Sequence, residues 1–399
     1  MAGKAFEGEE HRLGDHVLLG VLTTAVPVEV VDAVLRDTGR VAWRARRLAP
    51  RLMVYYVMAL ALYAQLSYDA VLRELVEGLR WLRWAGEPVR LAGKSAITQA
   101  RQRLGAAPLR LLFERVARPI AEARTPGAWY RAHRLVSFDG TTLDAPDVPE
   151  VERRFGRPAA GRGVSAFPQV RLLTLVETGT HAIFAAGIGA FATSEVTLAR
   201  RILPHLAPGM LCLADRGFIG YALWRDAVAT GADLLWRVRS TEVLPCRERL
   251  ADGSYRSRLY PSSACRQREC RGLEVRVIEY TLPGVPGSGD TLYRLITTML
   301  DPGEAPAAEL AAVYHERWES EVVLSELKVT LPGRPLLLRS RCPELVVQEI
   351  YGWLLTHFAI RKLMHEASAP DHRDPDALSF LDAVRVIRRN LPFYAAFSP

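Results

Sequence analysis

The sequence predicts an α/β protein in three parts: an all-helical amino-terminal region, a sheet-containing core interrupted by a β-rich insertion, and a helical tail. Three observations carry that prediction. Apolar residues recur at helical spacing from Asp15 to about Glu122, as in Val28, Val31, Val34 and Leu35 and again in Val71, Leu72, Leu75 and Leu79. The helical period breaks at Thr125-Pro126-Gly127 and short β-type runs take over. From Ser240 to about Pro286, Gly, Pro, Ser and Arg crowd around alternating segments such as Leu273 to Tyr280, which suits a β-rich insertion. These breaks divide the chain into residues 1–128, 129–340, with about 240–290 inserted, and 341–399.

The first part reads as about five helices. Its longest apolar run, Leu52 to Leu66, holds 15 residues between Arg51 and Asp69 and includes Gln65. That falls short of the roughly 18 to 20 residues a membrane span needs, so it reads as a buried helix. Leu135 to Phe138, Val170 to Glu177 and His181 to Ile188 read as strands, the last two joined at Thr178-Gly179-Thr180 into a hairpin. A helix follows over Thr193 to Leu206, capped by Thr193 or Ser194, then a strand at Met210 to Ala214, a helix at Tyr221 to Ala229 and a strand at Ala232 to Val238. Three antiparallel strands, helix, strand, helix, strand is the order of the RNase H-like fold, in which the first and fourth strands are neighbours. After the insertion come a strand at Tyr293 to Met299, one long helix over Ala307 to Val329 begun by Pro306, and a second over Leu345 to Glu366.

Composition is that of a globular protein, with 49% hydrophobic and 24% charged residues, which excludes collagen-like and low-complexity classes. Met1 to Glu10 has no apolar stretch of the kind a secretory or transit signal carries, so the expected compartment is the cytoplasm. The five cysteines are too few and odd in number for a disulfide framework; Cys265 and Cys270 lack a second matching pair or a His pair for zinc, so reduced thiols are expected. The net charge of +8 favours a polyanionic partner, and of 52 basic residues only Lys4, Lys94, Lys328 and Lys362 are lysine. Within the helical part, Ser95 to Leu104 is the best DNA-reading candidate. Ser95 can cap a short helix, and Lys94, Gln99, Arg101, Gln102 and Arg103 can reach phosphates or base edges. Solvated helix faces would explain the same basic clusters.

Three carboxylates are placed for chemistry. Asp139 follows the first strand, Asp215 follows the fourth, and Glu321 lies on the helix after the insertion. Two aspartates ending neighbouring strands lie side by side, and with Glu321 they make the hard oxygen set that a pair of Mg²⁺ ions needs to activate an attacking hydroxyl and stabilise a leaving oxygen. On one continuous helix Tyr314, Arg317, Glu321 and Lys328 fall within an arc of about 60°, whereas Glu316, Glu319 and Glu326 each point more than about 100° away from its centre. Blander readings remain for each acid: Asp139-Gly140 as a hairpin turn, Asp215 as a helix cap, Glu321 as a solvated partner of Arg317.

These residues resemble the DDE-type insertion-sequence transposases of the insertion element four group, marked by a Tyr-x2-Arg-x3-Glu-x6-Lys signature. Tyr314, Arg317, Glu321 and Lys328 match it at every position, and Asp139-Gly140-Thr141-Thr142, Phe167 to Arg171, Asp215 to Phe218 and Leu378-Ser379-Phe380 extend the likeness over nearly the whole chain. The resemblance implies that Asp139, Asp215 and Glu321 bind Mg²⁺, with Mn²⁺ able to substitute, and that Tyr314, Arg317 and Lys328 hold DNA phosphates near the cleaved end. It implies double-stranded DNA partners (terminal inverted repeats and a target), 3′-strand nicking, strand transfer, and a homodimer in the DNA complex. It also implies a bacterial setting, nucleoid-associated when DNA is bound, with no membrane partner. Related members pass through a DNA hairpin and flip a base onto an aromatic from the insertion, for which Trp236, Tyr255 and Tyr260 are candidates. Two rival readings are a non-catalytic DNA-binding relic that regulates a related element and a structure-selective metal-dependent nuclease.

Overall fold

The structure is a computed structural model that describes residues 20–41, 48–80, 92–160, 163–239, 241–281, 292–371 and 373–390. Six helices open it, one more than the periodicity suggested: α1 (Gly20–Ala25), α2 (Val28–Asp37), α3 (Pro50–Leu62), α4 (Tyr68–Arg80), α5 (Lys94–Leu104) and α6 (Ala107–Val116). Pro50 occupies the first turn of α3, where its missing N–H costs nothing, and every residue from Leu52 to Leu62 is buried. A helix apolar on all sides must be enclosed. The helix at Pro343–Ser368 supplies much of that enclosure. The two cross closely at Gly352, where an added Cβ would come within 2.8 Å of the Val57 carbonyl oxygen, and Thr356 donates to the Met58 carbonyl at 2.9 Å.

The core then runs β1 (Trp129–Tyr130), β2 (His133–Asp144), α7 (Pro149–Phe155), β3 (Ala159–Ala160), β4 (Gly163–Val164), β5 (Gln169–Glu177), β6 (Ala182–Ala190), α8 (Glu195–Ile202), β7 (Met210–Ala214), α9 (Tyr221–Val228) and β8 (Asp233–Arg237). Ser194 caps α8, accepting from the Thr197 amide at 3.2 Å. Next come β9 (Glu248–Arg249), β10 (Tyr255–Leu259), α10 (Ser263–Gln267), β11 (Leu273–Thr281) and β12 (Leu292–Thr297). The chain closes with α11 (Ala307–His315), α12 (Trp318–Ser325), α13 (Pro343–Ser368) and α14 (Phe380–Asn390).

The main sheet has the order β6-β5-β2-β7-β8-β12-β11-β10-β9. Its first five strands, antiparallel across β6-β5-β2 and parallel across β2-β7-β8, form the RNase H-like core. Both faces are covered. On β5, Val170, Leu172 and Val176 join the core shared with α3 and α13, while Leu173 and Leu175 join the opposite core with Leu198, Ile202 and Trp224. That is why the strand reads as a nearly continuous apolar run. The insertion extends the same sheet, since β12 lies antiparallel to β8 with Ile296 opposite Trp236.

Three local expectations are corrected. Asp139-Gly140 is not a turn, because β2 continues through it to Asp144, paired residue by residue with β5. Ser95 does not cap α5, which begins at Lys94 after Gly93. The single helix over 307–329 is broken. Around 316–317 the amides of Glu316, Arg317, Glu319 and Ser320 each bond three residues back, tightening the turn, and after α12 the backbone widens into a π-helical segment, Glu326–Thr330. No helix among the described residues is long and apolar enough to cross a membrane.

Candidate active site

The site is built where two parallel strands part. β2 and β7 stay paired up to Ser137 opposite Leu213, and β7 ends at Ala214. Asp139 and Asp215 therefore each sit two residues beyond the last pair, on neighbouring strands. Asp139 Oδ1 accepts from the Gly140 amide at 2.8 Å, and Thr174 on β5 donates to its backbone carbonyl at 3.1 Å. Asp215 Oδ1 accepts from the Gly217 amide at 2.8 Å in a side-chain turn. It does not cap α9, whose N-cap is Gly220.

The segment after the insertion lies over these ends. Arg317 Nη2 donates to Glu321 Oε1 at 2.9 Å, and Lys328 Nζ donates to Thr141 Oγ1 at 2.8 Å, two residues past Asp139. Ser320 Oγ lies 3.3 Å from Asp139 Oδ2, but its one proton has a better acceptor in the Arg317 carbonyl at 2.7 Å. Burial pushes the Asp139 carboxyl up to about 6. The Gly140 amide and the Arg317 charge oppose the rise, and the negative charge of Glu321 adds to it. Thr141 belongs to the Asp139-Gly140-Thr141-Thr142 segment but was given no role in the sequence, and Ser320 was missed altogether. The only signal for Ser320 was its place one turn beyond Arg317.

The neighbouring acids serve another purpose. Glu319 Oε2 lies 2.8 Å from His181 Nε2, and buried Glu326 is held by Arg361 and by His357 Nε2 at 3.0 Å. This network pins α12 and the π-helical segment to His181, just before β6, and to α13, whereas Glu321 pairs with Arg317. Tyr314 requires a correction. It is buried, and its hydroxyl lies 3.4 Å from the Ala214 carbonyl, so it braces the end of β7 instead of facing a solvent-borne phosphate.

Asp139, Asp215 and Glu321 offer only carboxylate oxygens, the donor chemistry of Mg²⁺ and Mn²⁺, and the raised Asp139 marks a buried carboxyl short of positive charge. The residues fit a divalent ion in kind. They are not drawn together in the structure: among the described residues, the one set of three potential ligands within 4.8 Å of one another is His181, Glu319 and Asp376.

Comparison with known proteins shows the family. Residues 16–114 match the family described as insertion element 4 transposase N-terminal, and residues 130–359 match the transposase DDE domain. The chain is a DDE transposase of the insertion element 4 family. The transposase is 29% identical over 379 residues to transposase InsG for insertion sequence element IS4 of Escherichia coli (strain K12), covering 93% of this chain and 82% of that one. It is 26% identical over 212 residues to the putative transposase InsZ of the same organism, covering 53% of this chain and 68% of that one. Among solved structures, the piggyBac transposase synaptic complex with hairpin DNA matches its fold with a TM-score of 0.50 at 12% identity, over 94% of this chain and 80% of that one.

In the helical part of the transposase, Lys94, Gln99 and Arg103 are exposed on α5, but Arg101 is not. Arg101 is 1% exposed and donates to Gln348 Oε1 at 2.8 Å, Ser340 Oγ at 2.9 Å and the Leu345 carbonyl at 3.3 Å. The expectation that it reads DNA is corrected, because its guanidinium is buried and its donors bind Gln348, Tyr68, Ser340 and the Leu345 carbonyl, tying α5 to α4 and α13. Trp236 is fully buried edge-to-face on Trp224, 5.1 Å between centroids, and Tyr255 is buried as well. Tyr260 is half-buried, its hydroxyl accepting from Arg247 at 2.9 Å.

Proposed function

We propose that this DNA transposase binds the terminal inverted repeats of an insertion sequence and cuts and joins DNA strands at a metal-dependent site formed by Asp139, Asp215 and Glu321, as at least a homodimer when the ends are synapsed. The observation that carries this reading is the placement of Asp139 and Asp215 just past the parting ends of the neighbouring strands β2 and β7, with Arg317 and Glu321 acting electrostatically on Asp139. When bound, Mg²⁺ or Mn²⁺ supplies the Lewis acidity that lowers the pKa of a water or 3′-hydroxyl and stabilises the leaving oxygen. The protein's own groups do the rest. Asp139 gives up its proton before it can serve as a ligand. Arg317 presents a guanidinium suited to a bidentate phosphate contact, and Lys328 adds a point charge beside Thr141. Exposed Lys94, Gln99 and Arg103 are assigned to the DNA ends.

The test incubates the purified protein with the native DNA flanking its reading frame, in Mg²⁺ and in EDTA, beside Glu321→Gln and Glu319→Gln. Metal-dependent cuts at both flanks that disappear in Glu321→Gln, with joined products, support the reading. Cuts without joined ends assign a nuclease. Salt-sensitive binding with no cut in Mg²⁺ or Mn²⁺ assigns a regulatory relic. If Glu319→Gln is dead and Glu321→Gln active, the acid is misassigned.

A further inference from the structure

The insertion carries a pair of thiols that the transposition chemistry does not use. Ser262 caps the short helix α10, accepting from the Cys265 amide at 3.2 Å, and the helix ends in a specific way. The Cys270 amide donates to the Cys265 carbonyl at 2.9 Å, the Glu269 amide donates to the Arg266 carbonyl at 3.1 Å, and Glu269 is left-handed with φ +52°. These are the paired bonds of a Schellman termination. That motif brings together the side chains of two residues five apart, the positions where an apolar contact usually seals the helix end. Here both are cysteines, at the two positions that the termination brings together, and the ionisation of each thiol is shifted by the other. The Glu269 carboxylate accepts from Arg247 at 2.8 Å.

We propose that Cys265 and Cys270 form a site of reversible thiol oxidation, which a low-molecular-weight disulfide closes into an intramolecular bond across the helix end. The Ser262 hydroxyl, then Cys270 and the Arg271 and Arg268 charges, hold the Cys265 thiol below its ordinary range, whereas its neighbour raises Cys270. Cys265 is therefore the attacking sulfur and Cys270 the resolving one. The Cys265 thiolate attacks one sulfur of the small disulfide, forming a mixed disulfide and expelling a thiolate. Cys270 then loses its proton and attacks Cys265 Sγ, expelling the second. Two protein thiols are oxidised by two electrons, one small disulfide becomes two thiols, and the protons leave on them. Both cysteines are partly exposed, whereas Cys212 is fully buried. Closing the bond would lock the turn that carries Arg266, Arg268 and Arg271.

The full chain is treated with glutathione disulfide, quenched with acid, digested with pepsin and analysed by mass spectrometry. The expected product joins Cys265 to Cys270 and appears at least about tenfold faster than a mixed disulfide at exposed Cys246. Cys270→Ser should stop at glutathione on Cys265, and Cys265→Ser should leave Cys270 reduced. The proposal is overturned if Cys246 and Cys342 take glutathione as fast as Cys265, or if no 265–270 bond forms at any ratio of oxidised to reduced glutathione. The readout involves neither DNA nor metal, so it is independent of the transposition assay.

Discussion

Asp139→Asn should make the metal-free protein more stable, and by an amount that depends on pH. Burial raises the Asp139 carboxyl from 3.8 to about 6. A folded-state pKa above the unfolded one means that the fold disfavours the ionised form. That cost is small near pH 4, grows between the two values and is complete above about pH 7. A shift of about two units at 1.36 kcal/mol each gives about 3 kcal/mol at pH 8 and about half that at pH 5. Asparagine can keep the local bonds: its oxygen accepts from Gly140, and its amide can donate to Ser320 Oγ, whose own proton goes to the Arg317 carbonyl. Urea unfolding in EDTA at pH 5 and pH 8 measures the gain directly. Equal gains at both pH values, or a loss at pH 8, would refute the assignment of Asp139 as a buried carboxyl held ready for a cation. A stabilising substitution at Asp139 is what its proposed role as a metal ligand predicts.

Arg101→Ala should cost about 2–4 kcal/mol in urea unfolding, because it removes a buried side chain and leaves the Gln348 side-chain oxygen without its donor inside the helical core, whereas Arg103→Ala should stay within about 0.5 kcal/mol. Burial alone would raise Glu326, yet bonds from His181 and His357 and the charge of Arg361 hold its carboxyl well below the glutamate range. Glu326→Gln should therefore destabilise by about 3–5 kcal/mol at neutral pH. The sign follows from a depressed acid: that contribution is complete above the ordinary glutamate pKa and fades as pH falls through the folded value, so wild type and variant should converge on acidification. Lys328→Ala should weaken binding to the DNA ends and lower the salt slope by about one; unchanged binding at every salt removes Lys328 from the phosphate role.

Much of the architecture was legible because it depends on local pattern. Alternation and apolar runs located β5, β7 and β11 to within a residue, and Ser194 marked the start of α8. The helix-face arithmetic set Glu319 and Glu326 apart from Glu321, and in the structure those two bind His181, His357 and Arg361 while Glu321 binds Arg317, although the helix it assumed is interrupted at 316–317. Arg101 shows the limit. On α5 it differs from Arg103 only by two positions, and nothing local says which of them meets α13 some 240 residues later. Tyr314 was likewise legible as a signature residue but not as a buried brace under Ala214.

The sequence by itself determined the helical, sheet and helical succession and the RNase H-like strand order, because periodicity and spacing are properties of neighbours along the chain. Only the tertiary structure decided that β2 runs on through Asp139, that the insertion continues the same sheet, and that Glu319 and Glu326 anchor the helix while Glu321 pairs with Arg317. Those outcomes depend on which distant surface buries each side chain, and burial is settled by packing between segments far apart in sequence.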